Sequence, residues 1–211
     1  RYKGFIMGLV KLNDRGVRNA TTFGSLNTGA MTFIKKLTAD GSGTTLSFVD
    51  GASDVVLDDT YKEYLFTFKN MHPATNIVKF TVNFRDGGTE YDATKTSTYF
   101  RARHDEAGTV TGLDYDTGED LAQGTGVHTL CASTGNDNDQ CLAGTLRLFN
   151  PSSTTFVKHF IADMSDYRAN DYNAREMTAG YCNVTAAIDG VQFAMSSGNI
   201  DAGDICLYGI N

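Results

Sequence analysis

The chain has 211 residues, of which 41% are hydrophobic and 11% aromatic, so it can bury a core and is not a disordered polymer. Its formal net charge is −7, and its basic residues form no run longer than Lys35 and Lys36, which argues against binding of a nucleic-acid backbone. No stretch approaches the roughly 20 apolar residues of a membrane-spanning helix. We therefore expect neither a nucleic-acid partner nor membrane insertion.

The N-terminal segment has no regular pattern. Residues 1–30 are polar, and glycines and asparagines interrupt every short apolar run. We predict an extended arm that packs on a neighbouring subunit or attaches the protein to a larger particle. Fraying of a free terminus is the alternative.

From Met31 onward, apolar and polar residues alternate as they do in β-strands. The clearest case is residues 61–69, where Tyr64, Phe66 and Phe68 share one face. Residues 76–84 repeat the pattern. Their predicted inward side chains are Val78, Phe80, Val82 and Phe84, and their predicted outward side chains are Lys79, Thr81 and Asn83. The predicted strands are residues 31–37, 44–49, 54–57, 61–69, 76–84, 97–103, 127–132, 144–149, 155–164, 179–186, 190–195 and 204–210.

Three polar stretches separate the later strands: residues 104–126, 133–140 and 165–178 are predicted to be long loops. About ten to twelve short strands without a convincing helix predict an all-β protein built from two packed antiparallel sheets. We predict a jelly-roll-like β-sandwich over residues 31–211, with the N-terminal arm outside it.

The sequence contains no recognisable catalytic motif. The four histidines, His72, His104, His128 and His159, form no HxxxH or HExxH pair, and there is no GxSxG elbow, P-loop or GxGxxG motif. Paired carboxylates of residues 104–126 leave glycoside hydrolysis as an enzyme alternative, but acidic residues are also common in turns. We expect no enzymatic activity and no cofactor.

Calcium binding is the metal chemistry that the loops favour most. Asp114, Asp116 and Glu119 in one loop, and Asp137 and Asp139 in another, supply the oxygen ligands that calcium prefers. Neither loop matches the twelve-residue EF-hand pattern. A solvated polar loop is the alternative explanation for both.

Three loop tyrosines, Tyr115, Tyr167 and Tyr172, lie near Asp and Asn side chains. Such a combination can stack on a sugar ring and bind its hydroxyl groups, so these residues are candidate ligand-binding residues for a glycan. Packing against a neighbouring subunit or covering a sheet edge is the alternative role.

The four cysteines, Cys131, Cys141, Cys182 and Cys206, contain no CxxC pair, which argues against a zinc ribbon. Four separate thiols are expected for a protein made in the cytoplasm. A bridge from Cys131 to Cys141, or from Cys182 to Cys206, is the alternative that the spacing leaves open.

Several motifs resemble those of small β-rich virion proteins of marine tailed bacteriophages, of the tail-fibre and particle-surface type. The similar segments are DDTYKEYLF at 58–66, MHPAT at 71–75, FNPSSTT at 149–155 and VQFAMSSGNIDAG at 191–203, followed by LYGI at 207–210. The resemblance implies a β-sandwich, a virion location after assembly in the host cytoplasm, and homo-oligomerisation, with a trimer preferred. It implies no catalytic residue.

The resemblance and the loop chemistry together predict a structural protein of the phage particle surface. Membership of the adsorption apparatus, as a tail fibre or receptor-binding protein, is the preferred role, with other virion proteins and a host cell-surface glycan as partners. A capsid decoration protein that stabilises the head is the first alternative. A carbohydrate-binding, lectin-like module is the second.

Overall fold

A computed structural model describes residues 30–211, and these residues contain twelve antiparallel strands and no helix. The all-β prediction is confirmed. The strands are β1 (Met31–Thr38), β2 (Thr45–Val49), β3 (Glu63–Pro73), β4 (Val78–Arg85), β5 (Lys95–Asp105), β6 (Thr111–Tyr115), β7 (His128–Thr134), β8 (Leu142–Phe149), β9 (Lys158–Arg168), β10 (Tyr172–Cys182), β11 (Gly190–Met195) and β12 (Ile200–Ile210). The predicted arm, residues 1–30, falls outside the described residues apart from Ala30.

The strands form two layers. The larger layer has the order β1-β12-β3-β8-β9-β10-β5-β6, and the smaller has the order β7-β4-β11-β2. A single pairing between Thr134 of β7 and Arg168 of β9 joins the layers. The antiparallel sandwich therefore curls into one continuous, barrel-like sheet that is nearly closed.

Aromatic side chains fill the space between the layers. Phe193 of β11 meets Phe66 and Phe68 of β3 at ring-centroid distances of 5.4 Å and 5.0 Å, both edge to face, which is a favoured geometry for aromatic pairs. The side chains of β3 and β4 that were predicted to point inward are buried, as expected from their alternation with polar residues. These contacts make the sheets a rigid support for the groups on their outer faces.

The outer face of β4 differs from the prediction. Thr81 and Asn83 are buried although they were predicted to point to solvent. The segment from residue 116 to residue 127 crosses β4, where Glu119 pairs with Lys79 at 2.6 Å and the Thr125 carbonyl accepts a hydrogen bond from Asn83. A polar face can thus be buried when a loop supplies partners for it.

Three segment predictions were wrong. Residues 54–57 form no strand, because a turn continues into Asp54, which has a positive φ of 65°. The predicted loop 104–126 contains β6, which pairs with the end of β5. The predicted loop 165–178 is the β9–β10 hairpin with a short tip. That hairpin carries charged residues on its inner face, so its sequence lacked the apolar alternation that marks a strand.

All four cysteines are free thiols. Cys182 and Cys206 lie on β10 and β12, four strand spacings apart, which is about 19 Å and far beyond the reach of a disulfide. Cys131 is buried between the layers, whereas Cys141 lines a groove on the outer face of the larger sheet. Neither candidate bridge is formed in this structure.

Candidate functional site

A polar groove crosses the outer face of the larger sheet where its central strands end. The register places His104 of β5 opposite Asn173 of β10, and Asn173 opposite Tyr167 of β9. These three side chains therefore form a row across neighbouring strands. The groove has a volume of about 560 Å³, within the range typical of ligand sites. Its lining residues are His104, Asp105, Glu106, Cys141, Ala143, Ser165, Tyr167 and Asn173.

Tyr167 and Glu106 form the polar centre of this groove. A hydrogen bond from the Tyr167 hydroxyl to the Glu106 carboxylate raises the pKa of Tyr167 to about 12, and desolvation adds to the shift. Tyr167 is consequently a neutral phenol at physiological pH. Its ring is held at one orientation while part of its surface stays accessible.

The Asp105 carboxylate forms its hydrogen bonds within the turn that follows β5. Its carboxylate accepts hydrogen bonds from the backbone N–H groups of Thr109 and Val110, each at 2.8 Å. The hydrogen bond from the Thr109 side chain, followed by those from the backbone, lowers the pKa of Asp105. This carboxylate fixes the loop at the groove rim and stays ionised.

Two smaller hollows continue the groove in both directions. One has a volume of about 210 Å³, shares His104 and Asn173 with the groove, and adds Arg103 and Arg175. The other has a volume of about 380 Å³ and shares Cys141 with the groove. It is lined by Asn70, His72, Asn138, Asp139, Gln140, Cys141, Asp201 and Ala202. The three hollows form one elongated polar surface.

His72 holds the far end of this surface together. Its Nε2 atom lies 3.2 Å from the Asp137 carbonyl oxygen, and its Nδ1 atom lies 3.2 Å from the Asp201 carboxylate. The ring thereby connects β3 to the 135–140 loop and to β12. No sequence motif marks His72, His104 or Asn173 as a ligand, because they come from separate strands that meet only in the folded sheet.

The three predicted tyrosines do not share one site. Tyr167 lies in the groove, while Tyr172 lines a separate hollow of about 200 Å³ beside Arg168 and Ile77. Tyr115 lies on β6, three strand steps from β9, and its hydroxyl donates a hydrogen bond to Asp120 at 2.5 Å. The ligand-binding prediction therefore now rests on Tyr167 alone of the three.

The predicted calcium ligands are engaged elsewhere or lie apart. Asp114 and Asp116 pair with Arg101 at 3.2 Å and 3.0 Å, and Glu119 is held by Lys79. Asp137 and Asp139 lie in the loop beside the groove. Within residues 30–211, none of these five carboxylates joins a group of three metal-ligand atoms. Calcium binding stays a prediction.

A different group of side chains has the composition of a metal site. Ligand atoms of Cys131, Asp166 and Glu176 all lie within 4.8 Å of one another, between the two layers. Burial is the main cause that raises the pKa of both Cys131 and Asp166. The three residues come from β7, β9 and β10, and their spacing in the sequence does not match any metal-binding motif.

No helix among residues 30–211 is long and apolar enough to cross a membrane. Comparisons of the chain with protein-family models, with curated proteins and with solved structures found no match.

Proposed function

We propose that this protein is a non-catalytic attachment protein on the surface of a tailed-phage particle, and that it binds a host glycan in the polar groove. The observation that carries the proposal is the row of Tyr167, Asn173 and His104 on one rigid sheet face. A sugar offers an apolar ring face and a rim of hydroxyl groups. The Tyr167 ring can stack on the apolar face of the sugar, and the amide, imidazole and carboxylate groups of the groove can hydrogen-bond to its hydroxyl groups.

The shape of the surface favours a chain of sugars over a compact ligand. The groove shares residues with each of its two neighbouring hollows, and the three together extend from Arg175 to Asp201. An oligosaccharide can contact several such shallow hollows at once, and many weak contacts then add up to useful affinity. Repeated copies of the protein on a particle would strengthen attachment further.

The groove carboxylates support binding over hydrolysis. Glycoside cleavage needs a general acid whose pKa is raised. Asp105 has a lowered pKa and is held by its own turn, and Glu106 accepts the Tyr167 hydroxyl. Their arrangement suits hydrogen bonding to a ligand.

The placement on a phage particle is supported by the C-terminal motif that resembles virion proteins. Its SSGN turn joins β11 to β12, with Gly198 at a φ of 72°. Gly203 follows at a φ of 120°, where an added Cβ would lie 2.7 Å from the Asn70 carbonyl oxygen. The motif glycines are thus required by the fold, and the resemblance extends to residues with a structural purpose.

Assembly into a homo-oligomer, with a trimer preferred, and contact with other virion proteins belong to the same proposal. Exposed apolar side chains on the outer face support it. Leu113 and Ile161 are 75% and 50% exposed, and Tyr115 lies beside Phe100 across the β5–β6 pair. Such side chains can be covered by a neighbouring subunit.

Binding of the purified full chain to an array of bacterial surface glycans tests the proposal. Tyr167→Ala should weaken binding of a positive glycan about tenfold, since an aromatic stacking contact contributes up to about 1.5 kcal/mol. Tyr181→Ala is the matched control, because Tyr181 is also half-buried on the outer face of the same sheet but lies outside the groove. Failure to bind any glycan, or equal losses in both variants, would overturn the glycan site.

A further inference from the structure

The two layers are joined through a buried group of ionisable side chains. Cys131 of β7 belongs to the smaller layer, and Asp166 of β9 and Glu176 of β10 belong to the larger one. All three residues are at most 1% exposed, and their ligand atoms lie within 4.8 Å of one another. The group is remote from solvent and separate from the groove, which lies on the other face of the larger sheet.

Unsatisfied polar atoms are concentrated at this place. Residues 30–211 contain thirteen buried side-chain nitrogen or oxygen atoms without a hydrogen-bond partner, and eight of them belong to this region. They are Tyr99 Oη, Thr134 Oγ1, Asp166 Oδ1 and Oδ2, Arg168 Nε and Nη2, Glu176 Oε2 and Thr178 Oγ1. Arg168 forms ion pairs with both carboxylates outside hydrogen-bond geometry, so only part of this polar group is satisfied by the protein itself. A buried polar atom without a full partner is costly, and a bound group could supply what is lacking.

Arg168 and the backbone occupy one side of the two carboxylates. Arg168 Nη2 lies 3.3 Å from Glu176 Oε1, its Nε lies 3.6 Å from Asp166 Oδ2, and the Ala132 N–H donates to Glu176 Oε1 at 3.2 Å. Asp166 Oδ1 and Glu176 Oε2 accept no hydrogen bond of normal geometry, although the Tyr99 hydroxyl interacts with Glu176 and the Thr134 hydroxyl interacts with Asp166. These two carboxyl groups and the Cys131 sulfur form the acceptor side of the group.

We propose that Cys131, Asp166 and Glu176 bind a divalent metal ion of the zinc type between the two layers. A thiolate with two carboxylates suits zinc, whereas calcium and magnesium prefer oxygen ligands alone. Zinc bonds of about 2.3 Å to sulfur and 2.0 Å to oxygen place tetrahedral ligand atoms about 3.5 Å apart. The three atoms lie within 4.8 Å of one another, so they would move closer together on binding, and a water would fill the fourth position.

Charge balance agrees with this assignment. Two carboxylates and a thiolate carry three negative charges, and Arg168 offsets one of them. A divalent ion offsets the other two, so the filled site is neutral in a place where net charge is costly. Binding releases the Cys131 thiol proton to solvent, as zinc binding to cysteine does in general.

The ion would act as a link between the layers. Within residues 30–211, the layers share one strand pairing, Thr134 with Arg168, which lies next to the site. A metal held by β7, β9 and β10 would join the layers at the same end. Because a preformed site is absent from an unfolded chain, binding would stabilise the folded protein.

Metal analysis of the full chain, expressed in zinc-supplemented medium, tests the assignment. We expect about one zinc ion per chain, a melting temperature that falls when a chelator is added, and a near-ultraviolet thiolate-to-metal absorption band after replacement by Co²⁺. Cys131→Ala should lose the ion and the band. Cys182→Ala is the matched control, since Cys182 is equally buried but lies between Lys95 and Lys158, and it should keep both.

Other outcomes would contradict the metal site or the part that Cys131 plays in it. Folded wild-type protein that takes up neither Zn²⁺ nor Co²⁺ would overturn the metal site. Uptake without a thiolate band, or unchanged uptake in Cys131→Ala, would remove Cys131 from the site. If Cys131→Ala does not fold, the Co²⁺ spectrum of the wild-type chain still decides the question. Glycan binding does not involve these residues, so the two proposals fail independently.

Discussion

His128 makes the stability of this fold sensitive to acid. The side chain is completely buried, with its ring centroid 5.4 Å from that of Phe160. Its Nδ1 atom lies 3.1 Å from the Ser97 hydroxyl oxygen, and its Nε2 atom has no partner. Desolvation, assisted by the nearby charge of Lys95, lowers the pKa of His128 to about 3. The folded protein therefore keeps this imidazole neutral.

The size of the effect follows from the two pKa values. An unfolded chain protonates histidine at a pKa of about 6.5, whereas the folded chain does so at about 3. Between these values the unfolded state binds more protons, so stability is complete above pH 6.5 and falls as the pH decreases. At about pH 5, 1.5 units below the unfolded value, the loss amounts to about 2 kcal/mol at 1.36 kcal/mol per unit.

Urea unfolding at pH 7.5 and pH 5 measures this loss when the wild type is compared with His128→Gln. Glutamine can keep a polar contact with Ser97 but does not titrate, and the carboxylates shared by both proteins cancel in the comparison. We expect the wild type to lose about 2 kcal/mol more than the variant on acidification. His159→Gln, at an exposed position on the outer face, should follow the wild type. Equal acid losses in wild type and His128→Gln would refute the reasoning.

Two further predictions concern the backbone and the core. Gly203→Ala should lower the free energy of unfolding by about 2 kcal/mol or more, because φ is 120° and the new Cβ would meet the Asn70 carbonyl. Gly51 has a φ of 72° with open space around it, so Gly51→Ala should lower the free energy of unfolding by only about 1 kcal/mol in the same urea titration. Phe193→Ala should lower the free energy of unfolding by about 3 to 5 kcal/mol, because it opens a cavity among four phenylalanine rings. Phe156 is 71% exposed, so Phe156→Ala should change the free energy of unfolding by no more than about 0.5 kcal/mol. A similar cost at Phe156 and Phe193 in thermal unfolding would contradict the assignment of the core.

The sequence predicted the fold where strands have one apolar face. β3 and β11 were found because their apolar residues alternate with polar ones, and β11 has the predicted bounds of 190–195. The end of β9 and the start of β10 were missed because their inner face carries Asp166, Arg168 and Glu176, which look like loop residues until their partners are known. The strongest failure of the pattern thus coincides with the proposed metal site.

The groove could not be predicted from the sequence for a different reason. His104 is distant along the chain from Tyr167 and Asn173, and only the register of β5, β10 and β9 puts the three in one row. A shift of one residue in that register would turn each side chain to the opposite face. Tyr167 was identified by its residue type and its polar neighbours, but the same criteria also selected Tyr115 and Tyr172, which lie elsewhere.

Electron microscopy of intact phage particles, labelled with an antibody against this chain, tests most directly whether the protein attaches the particle to its host. The attachment account predicts label at the tail, together with slower adsorption when the antibody blocks the groove. Label spread over the capsid lattice would contradict a role in adsorption, and particles without any label would contradict a place on the virion.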